Sequence, residues 1–415
     1  MYTFSHMETL PMFRKGFGLG SEIAPALTRD YHSALVEWFR NNGFSLTADD
    51  TTILLASELG FCYGVDRAVE YAYETRHKFP DRRIYITGEI IHNPHVNDKL
   101  REMEILFLST PDNLEIDLDA VEAGDVVILP AFGARVEDLN ALRERGAVLV
   151  DTTCGSVLNV WKNVQRNARD GFTSAIHGKV AHEETRATAS WARGAEGQGH
   201  YLVVRDMGET EEVCRYIEEP GESAAFRTRF AHACSPGFDP DLHLGHLGVA
   251  NQTTMLSSDS LAIARRLGQA LTTRYGASEQ ARRFRSFDTI CSATQERQDA
   301  VVDLLAMNLD LLVVIGGYNS SNTNHLAELS IDHGTPAFHI EDFTALNSDG
   351  SIRYKPVHKA DEIIEPSWLP RGPARIGVTA GASTPNNHIG QVLAAILNLR
   401  RVALPVETSS ICHAE

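Results

Sequence analysis

Three segments of this chain share one shape, a short apolar run, a cysteine and an amphipathic helix. They are "TTILLASELGFCYGVDRAVEYAYE" (51–74), "GAVLVDTTCGSVLNVWKNVQR" (146–166) and "FRSFDTICSATQERQDAVVDLLA" (284–306). Val65, Ala68, Val69 and Ala72 recur at helical spacing in the first, and Val157, Val160, Trp161 and Val164 in the second. Val301, Val302 and Leu305 do the same in the third. A second strand with a polar loop follows each helix, in "RRIYITGEIIHNPHV" (82–96), "GFTSAIHGKVAHEET" (171–185) and "LDLLVVIGGYNSSNTNHL" (309–326). The cysteine-to-loop distances nearly agree: 30 residues from Cys62 to His92, 28 from Cys154 to His182, 29 from Cys291 to Ser320. A third strand-loop comes later in each unit, at 125–136, 246–256 and 374–385.

Strands that alternate with helices form parallel sheets covered on both faces. In such sheets the loops at the carboxyl ends of the strands gather in one crevice. The expected fold is therefore α/β, with three pseudo-threefold related α/β domains, each with a small parallel sheet. The expected boundaries are an N-terminal extension 1–50, a first module 51–153, a second 154–290 with an insertion at about 193–245, a third 291–400 and a tail 401–415. A further insertion at about 340–372 explains the late third strand of the last module. Any βαβ chain shows approximate repeats. A cysteine at the same place in all three argues against coincidence.

Charge and cysteine content narrow the function. The 415 residues carry a formal net charge of −17, which argues against a broad surface for nucleic acid or anionic membrane. A local anion pocket remains compatible with it. No apolar run approaches the roughly 18 residues of a membrane span, and "LDLLVVIGGY" (309–318) breaks at paired glycines. The first 20 residues lack a basic start followed by an apolar core, so no secretory signal is expected. Six cysteines are too sparse for a disulfide scaffold, and a reducing, cytoplasmic location is expected.

Cys62, Cys154 and Cys291 can hold zinc, hold an iron–sulfur cluster, or pack. Zinc sites usually show close pairs such as C-x₂-C, which these spacings lack. "HEETR" (182–186) also ends in Arg where a zinc helix needs His. A cluster normally takes four cysteines, so three would leave one iron open to substrate. Cys214 lies in a helix-like acidic stretch and reads as a small buried hydrophobe. Cys234, near His232, His243 and His246, is a weaker metal candidate, and Cys412 falls in the tail. The loops "HN" (92–93), "HEE" (182–184), "NQTT" (251–254), "NSSN" (319–322) and "GAST" (381–384) offer neutral donors, imidazoles and helix N-termini, which suit an anion. Ser, Thr and Asn are also ordinary helix caps. Neither "GGYNSSNT" (316–323) nor "GFGLGS" (16–21) is a nucleotide loop. Glu184 is an acid in a largely neutral loop, placed either to supply protons or simply to start a helix.

These residues resemble a known family, the 4-hydroxy-3-methylbut-2-enyl diphosphate reductases (the LytB family). "GFCYGVDRA" (60–68), "EIIHN" (89–93), "DTTC" (151–154), "HEET" (182–185), "NQTT" (251–254), "TICSATQERQ" (289–298), "NSSNTNHL" (319–326) and "GVTAGAST" (377–384) fit its pattern in order. "FRKGFG" (13–18), "KVAHEETRATAS" and "GFDPD" are similar to the longer plant and cyanobacterial-type members. The resemblance implies three α/β domains around a central [4Fe–4S] cluster, one per chain, ligated by Cys62, Cys154 and Cys291. It implies that His92, His182, Ser320, Ser321, Asn322 and Ser383 hold a diphosphate, with Thr253 also against the substrate. Glu184, with Thr253 and His182 beside it, would deliver protons. The implied reaction ends the methylerythritol phosphate route to isoprenoids and uses two electrons and two protons. It expels water and yields isopentenyl and dimethylallyl diphosphates. Ferredoxin, flavodoxin or a similar carrier would supply the electrons; the net charge of −17 calls for a local basic patch if that carrier is acidic. Neither nucleic acid nor membrane is an expected partner, and the oligomeric state is left open.

Two departures from the common pattern stand out. Phe132, in "PAFGARV" (130–136), replaces a pocket histidine of shorter members, and Gly155 replaces the usual proline after the second cysteine. The rival readings are an iron–sulfur dehydratase of another hydroxylated anion and a three-domain binding protein with structural zinc. The segment "TRDYHSALVEWFRNNG" (28–43) reads as a helix that covers a domain or meets a partner.

Overall fold

The computed structural model describes residues 12–194, 197–287 and 289–406. Besides a two-stranded ribbon, the described strands form three small sheets, and the same four-strand order recurs in each of the three. In the first, Ile105–Phe107, Ile84–Ile86, Val126–Leu129 and Val148–Asp151 lie side by side and parallel, with Met12–Phe13 added beyond the last. In the second the order is Tyr201–Val204, Thr173–His177, Leu247–Asn251, Phe284–Ser286. In the third it is Ala337–Ile340, Leu311–Ile315, Ala374–Ala380, Thr51–Leu55, with Ser45–Ala48 antiparallel at the edge. The fourth strand in every sheet is the one that runs toward a repeat cysteine.

The third sheet thus takes its cysteine strand from the beginning of the chain. Thr51–Leu55, which the repeat pattern groups with residues up to 153, pairs in register with Ala374–Val378. The reason lies in how parallel strands connect: a strand and the helix after it need not serve one sheet. Val148–Asp151 belongs to the first sheet, whereas the helix Gly155–Arg169 after Cys154 packs on Thr173–His177 and Leu247–Asn251 of the second. Likewise the helix Ser292–Leu305 after Cys291 packs on Ala374–Ala380. The outer strands 105–107, 201–204 and 337–340 escaped the repeat reading, because three or four residues carry too little alternation to register.

The chain forms two compact units. One takes the segment ending at Leu19 with Arg67–Ile91 and Asn97–Ile290, and holds the first and second sheets. The other takes Gly20–Asp66, His92–Val96 and the chain from Cys291 on, and holds the third sheet with the ribbon Ile352–Tyr354/Ile363–Glu365. In this second unit both sheet faces are buried, as a parallel sheet requires. Ile53, Leu55, Val313, Ile315, Ile376 and Val378 face one core, with Ile389, Val392 and Ile396 of the helix Asn386–Leu399. Leu54, Leu312 and Val314 face the other, with Val301, Leu304 and Leu326.

The N-terminal extension is part of that packing. The single helix expected at 28–43 is two helices, Gly20–Tyr31 and Ala34–Asn41, broken where Ser33 Oγ accepts the Val36 amide at 3.3 Å. Leu35, Val36 and Phe39 are fully buried in the third-sheet core, so this segment covers its own unit. In the first unit the insertion contributes the helices Met207–Glu218 and Ser223–Phe230, whose Val213, Ile217, Phe226 and Phe230 join the second-sheet core. Among the described residues no helix is long and apolar enough to cross a membrane.

Candidate functional site

The residues singled out by sequence fall in both units, and each unit presents its own group. Cys154, in the first unit, is the N-cap of Gly155–Arg169 with extended backbone, φ −62° and ψ 145°. Its amide donates to the Ala131 carbonyl at 2.8 Å. The loop before it is held by a relay of side chains. Arg14 Nε donates to Asp151 Oδ2 (3.1 Å), and Asp151 Oδ1 accepts from the Thr153 amide (3.1 Å) and hydroxyl (2.5 Å). Arg67 Nη2 donates to the carbonyls of Thr152 and Thr153 at 3.2 and 2.6 Å.

In the second unit Cys62 follows Thr51–Leu55 and directly precedes the helix Tyr63–Lys78. Its amide donates to Ala382 O at 3.1 Å. Gly60 in the turn before it has φ +79°, and a Cβ there would crowd Asn386, Ile389 and the Thr384 carbonyl at 3.1–3.3 Å, so only glycine fits. Cys291 is the N-cap of Ser292–Leu305. One buried side chain serves both cysteines: Arg297 donates to Gly60 O at 2.7 Å and to Ala293 O at 2.8 Å.

The three repeat cysteines therefore share a chemistry that the other described ones lack. Each is half-buried, forms no disulfide and stands at the start of a helix, where aligned amides favour negative charge. Neither Cys154 nor Cys291 spends its side chain on capping that helix. Burial pushes the thiols of Cys214 and Cys234 up to about 12. Cys214 packs in the second-sheet core, and Cys234 bridges the edge strand at Leu202. Two of the histidines near Cys234 are otherwise engaged: His243 Nδ1 accepts the Asp239 amide at 2.8 Å with its ring stacked on His200 at 3.6 Å, and His246 stands edge-on to Phe172. Cys412 lies outside the described residues.

A carboxylate and a hydroxyl meet at the ends of the second-sheet strands. Glu184 stands in the first turn of the helix Glu183–Ala192 and is 2% exposed. Its Oε1 accepts the Thr253 amide at 2.6 Å, and its Oε2 lies 3.0 Å from Thr253 Oγ1. His182 caps the same helix, and its Nδ1 accepts the Glu184 amide at 3.2 Å. A backbone N–H can only donate, so Nδ1 carries no proton and Nε2–H is the donor of this ring. Gln252 buttresses both loops: its Oε1 accepts from the Lys179 amide and the Thr185 hydroxyl at 3.1 Å each, and its Nε2 donates to Thr254 at 2.9 Å.

In the second unit the anion-type residues converge on the start of the helix Ser321–Asp332. Ser320 is its N-cap, accepting the Thr323 amide at 3.3 Å. Asn322 Oδ1 accepts the Ala382 amide at 2.9 Å, and Ser383 Oγ donates to the His92 carbonyl at 3.2 Å. A Cβ on Gly317 would lie 2.6 Å from that same carbonyl, so glycine is what lets the loop approach His92. Ser321 Oγ and Asn322 Nδ2 are buried and have no hydrogen-bond partner among the described residues. Buried polar atoms are rarely left in that state, and at a helix N-terminus an anion is the natural partner.

His92, Ser320, Ser321, Asn322 and Ser383 thus come together, as do His182, Glu184 and Thr253. Gln252 and Arg297 were missed as individual residues. Gln252 sits inside the quoted "NQTT", where the motif was the available signal; nothing in a helical Arg tells that it will be buried. Phe132 packs edge-on against His182, with ring centroids 6.2 Å apart at 77°, and so orients that imidazole without donating to a ligand.

Gly155, the other departure, is the first helical residue, and a Cβ there would meet nothing within 4 Å. Proline suits this position, and the extended Cys154 before it has the backbone that a pre-proline residue prefers. Gly155→Pro is expected to raise stability by about 0.4–1 kcal/mol, seen as a higher denaturant midpoint with turnover unchanged.

Comparison with known proteins gives the context. A family model described as LytB protein matches residues 53–397. A protein of Thermosynechococcus vestitus (strain NIES-2133 / IAM M-273 / BP-1), named 4-hydroxy-3-methylbut-2-enyl diphosphate reductase, is 49% identical over 390 residues, covering 94% of this chain and 95% of its own. A protein of the same name from Synechococcus sp. (strain RCC307) is 50% identical over 386 residues, covering 93% of each. The solved structure of the E-1-hydroxy-2-methyl-but-2-enyl-4-diphosphate reductase from Plasmodium falciparum shares the fold. Its TM-score is 0.60 at 22% identity, over 85% of this chain and 89% of that one.

Proposed function

The chain belongs to the LytB protein family, and from that premise we propose how its residues carry out the reductive dehydroxylation of 4-hydroxy-3-methylbut-2-enyl diphosphate to isopentenyl and dimethylallyl diphosphate. It is an enzyme, a reductase of this allylic diphosphate at the final step of the methylerythritol phosphate route. The observation that carries the reading is the family match over residues 53–397, which spans all eight sequence motifs.

Cys62, Cys154 and Cys291 would hold one [4Fe–4S] cluster. The donor set suits it: three thiols outside any disulfide, each at a helix start, and none of them the fully buried Cys214 type. Bound there, the cluster supplies a Lewis-acidic iron for the allylic oxygen and a path for two electrons. Three modules at 51–153, 154–290 and 291–400, each contributing one cysteine, remain the working division, with Thr51–Leu55 lent to the last sheet.

This chain's own residues do the rest. The orphaned Ser321 Oγ and Asn322 Nδ2, with Ser320, Ser383 and His92, would take up the diphosphate at the helix N-terminus. His182 would add its Nε2–H. Holding the diphosphate fixes the reacting end of a small substrate, so remote binding energy is spent on orientation. Glu184 would supply a proton to the departing hydroxide, which leaves as water; a second proton and two electrons would complete the isopentenyl or dimethylallyl diphosphate. Thr253 Oγ1, which both donates and accepts, would pass the proton to or from Glu184 Oε2. The electron donor is read as a small one-electron carrier such as ferredoxin or flavodoxin. A cytoplasmic setting suits thiolates that must stay reduced.

The test is anaerobic turnover of the allylic hydroxy-diphosphate by cluster-reconstituted protein with a reduced viologen. Two dye molecules oxidised per five-carbon diphosphate formed is the expected stoichiometry. No turnover by protein with full iron and sulfide content would refute the substrate assignment.

A further inference from the structure

The residues just after His92 are pinned in the second unit by contacts that the roles above leave unused. Asn93 Oδ1 accepts the Val96 amide at 3.1 Å and opens the helix Pro94–Glu102, whose first turn contains no acid of its own. The acid comes instead from Asp342, just beyond the strand Ala337–Ile340 and 247 positions along the chain from His95. Asp342 Oδ2 lies 2.6 Å from His95 Nε2, while Oδ1 accepts the Thr344 amide at 2.7 Å and its hydroxyl at 2.5 Å. Burial pushes the Asp342 carboxyl up, but the hydrogen bonds from His95 and Thr344 outweigh it and hold the group well below the usual carboxylate range. Asp342 is therefore an anion, and the proton in the His95 contact sits on Nε2.

His95 is exposed, and it also meets an aromatic neighbour. Its ring stands edge-on to His388, with centroids 4.2 Å apart at 73°. His388 is buried and pushed down to about 4, first by that burial and then by His95, so it is a neutral imidazole that packs without repelling. The His95 ring thus has one hydrogen-bonded anchor and one aromatic wall. Three residues earlier, the His92 carbonyl receives Ser383 Oγ and meets Gly317.

We infer that His95, clasped by Asp342, is a positioning residue for His92, setting the direction from which His92 meets the substrate's diphosphate. The inference rests on the reading that His92 binds that group. His95 itself touches no substrate. Without the clasp the short segment from His92 to Val96 loses the contact that ties it to the end of the strand Ala337–Ile340.

The experiment measures binding of inorganic diphosphate by calorimetry, alongside KM and kcat for the allylic substrate, in cluster-loaded protein. H95A and D342A are each expected to raise Kd and KM roughly 10- to 100-fold, as a displaced binding group does, with kcat nearly unchanged. The double variant should be no worse than either single one, because one contact is lost in all three. H95Q, whose amide can still donate to Asp342, should recover most of the affinity. Unchanged Kd in both single variants, or a fall in kcat at constant KM, would overturn the clasp. Additive effects in the double variant would overturn it too. Should H95A fail to fold, D342A and H95Q decide the matter. Wild-type protein that turns over substrate but binds no inorganic diphosphate would instead remove the diphosphate role of this group, a distinct result.

Discussion

Replacing Glu184 by Gln is expected to lower kcat about 10²–10⁴-fold while leaving the fold and the iron content intact. The geometry makes this a clean substitution. The Gln carbonyl can accept the Thr253 amide as Oε1 does now at 2.6 Å, and the Gln NH₂ can donate to Thr253 Oγ1 in place of the present 3.0 Å contact. Both bonds of this buried side chain can therefore be kept. What disappears is the ability to release and recover a proton. KM should change little, because Glu184 is assigned to the departing hydroxyl and not to the diphosphate. Stopped-flow dye oxidation under anaerobic conditions reads the rate directly. Turnover at the wild-type rate would remove Glu184 from proton delivery.

Cys154→Ser is expected to abolish turnover, together with bound iron and acid-labile sulfide. The position allows loss of a ligand to be told from loss of structure. Cys154 is an N-cap whose side chain makes no capping bond, and Ser is among the preferred residues there. The helix Gly155–Arg169 should hold or gain by about 0.5–1 kcal/mol in the cluster-free protein. Cys214→Ser is the opposite case. It buries a hydroxyl at a fully buried site, costs about 1–3 kcal/mol, and keeps the cluster and activity. Metal and sulfide analysis with denaturant unfolding of both variants separates the two. A Cys154→Ser protein with a full cluster, or wild-type protein holding about one zinc and no sulfide, would refute the ligand set.

Much of this site was written in short-range pattern. The apolar spacing of Val157, Val160, Trp161 and Val164 announced a helix with one buried face, and the structure buries all four. The polar loops after the strands were visible because Ser, Asn and His interrupt apolar runs where a parallel strand must end. The outer strand of each sheet was invisible for the converse reason: Ile105–Phe107 is too short to show a period. The break at Ser33 was missed because a capping serine inside a helical stretch looks like an ordinary polar residue.

Local chemistry in the chain was enough to place a cysteine between a strand and a helix three times, and to put donors and imidazoles at the loops that follow. The periodicities of helix and strand are properties of a few neighbouring residues, so they survive in one dimension. Which sheet each strand would join was a different matter. Thr51–Leu55 pairs with a strand more than 300 positions later, and Glu184 meets a hydroxyl 69 positions away. His95 finds its carboxylate 247 positions along. Such partners are chosen by burial of both sheet faces and by satisfaction of buried polar groups, which are conditions on the packed whole. No stretch of sequence carries them alone.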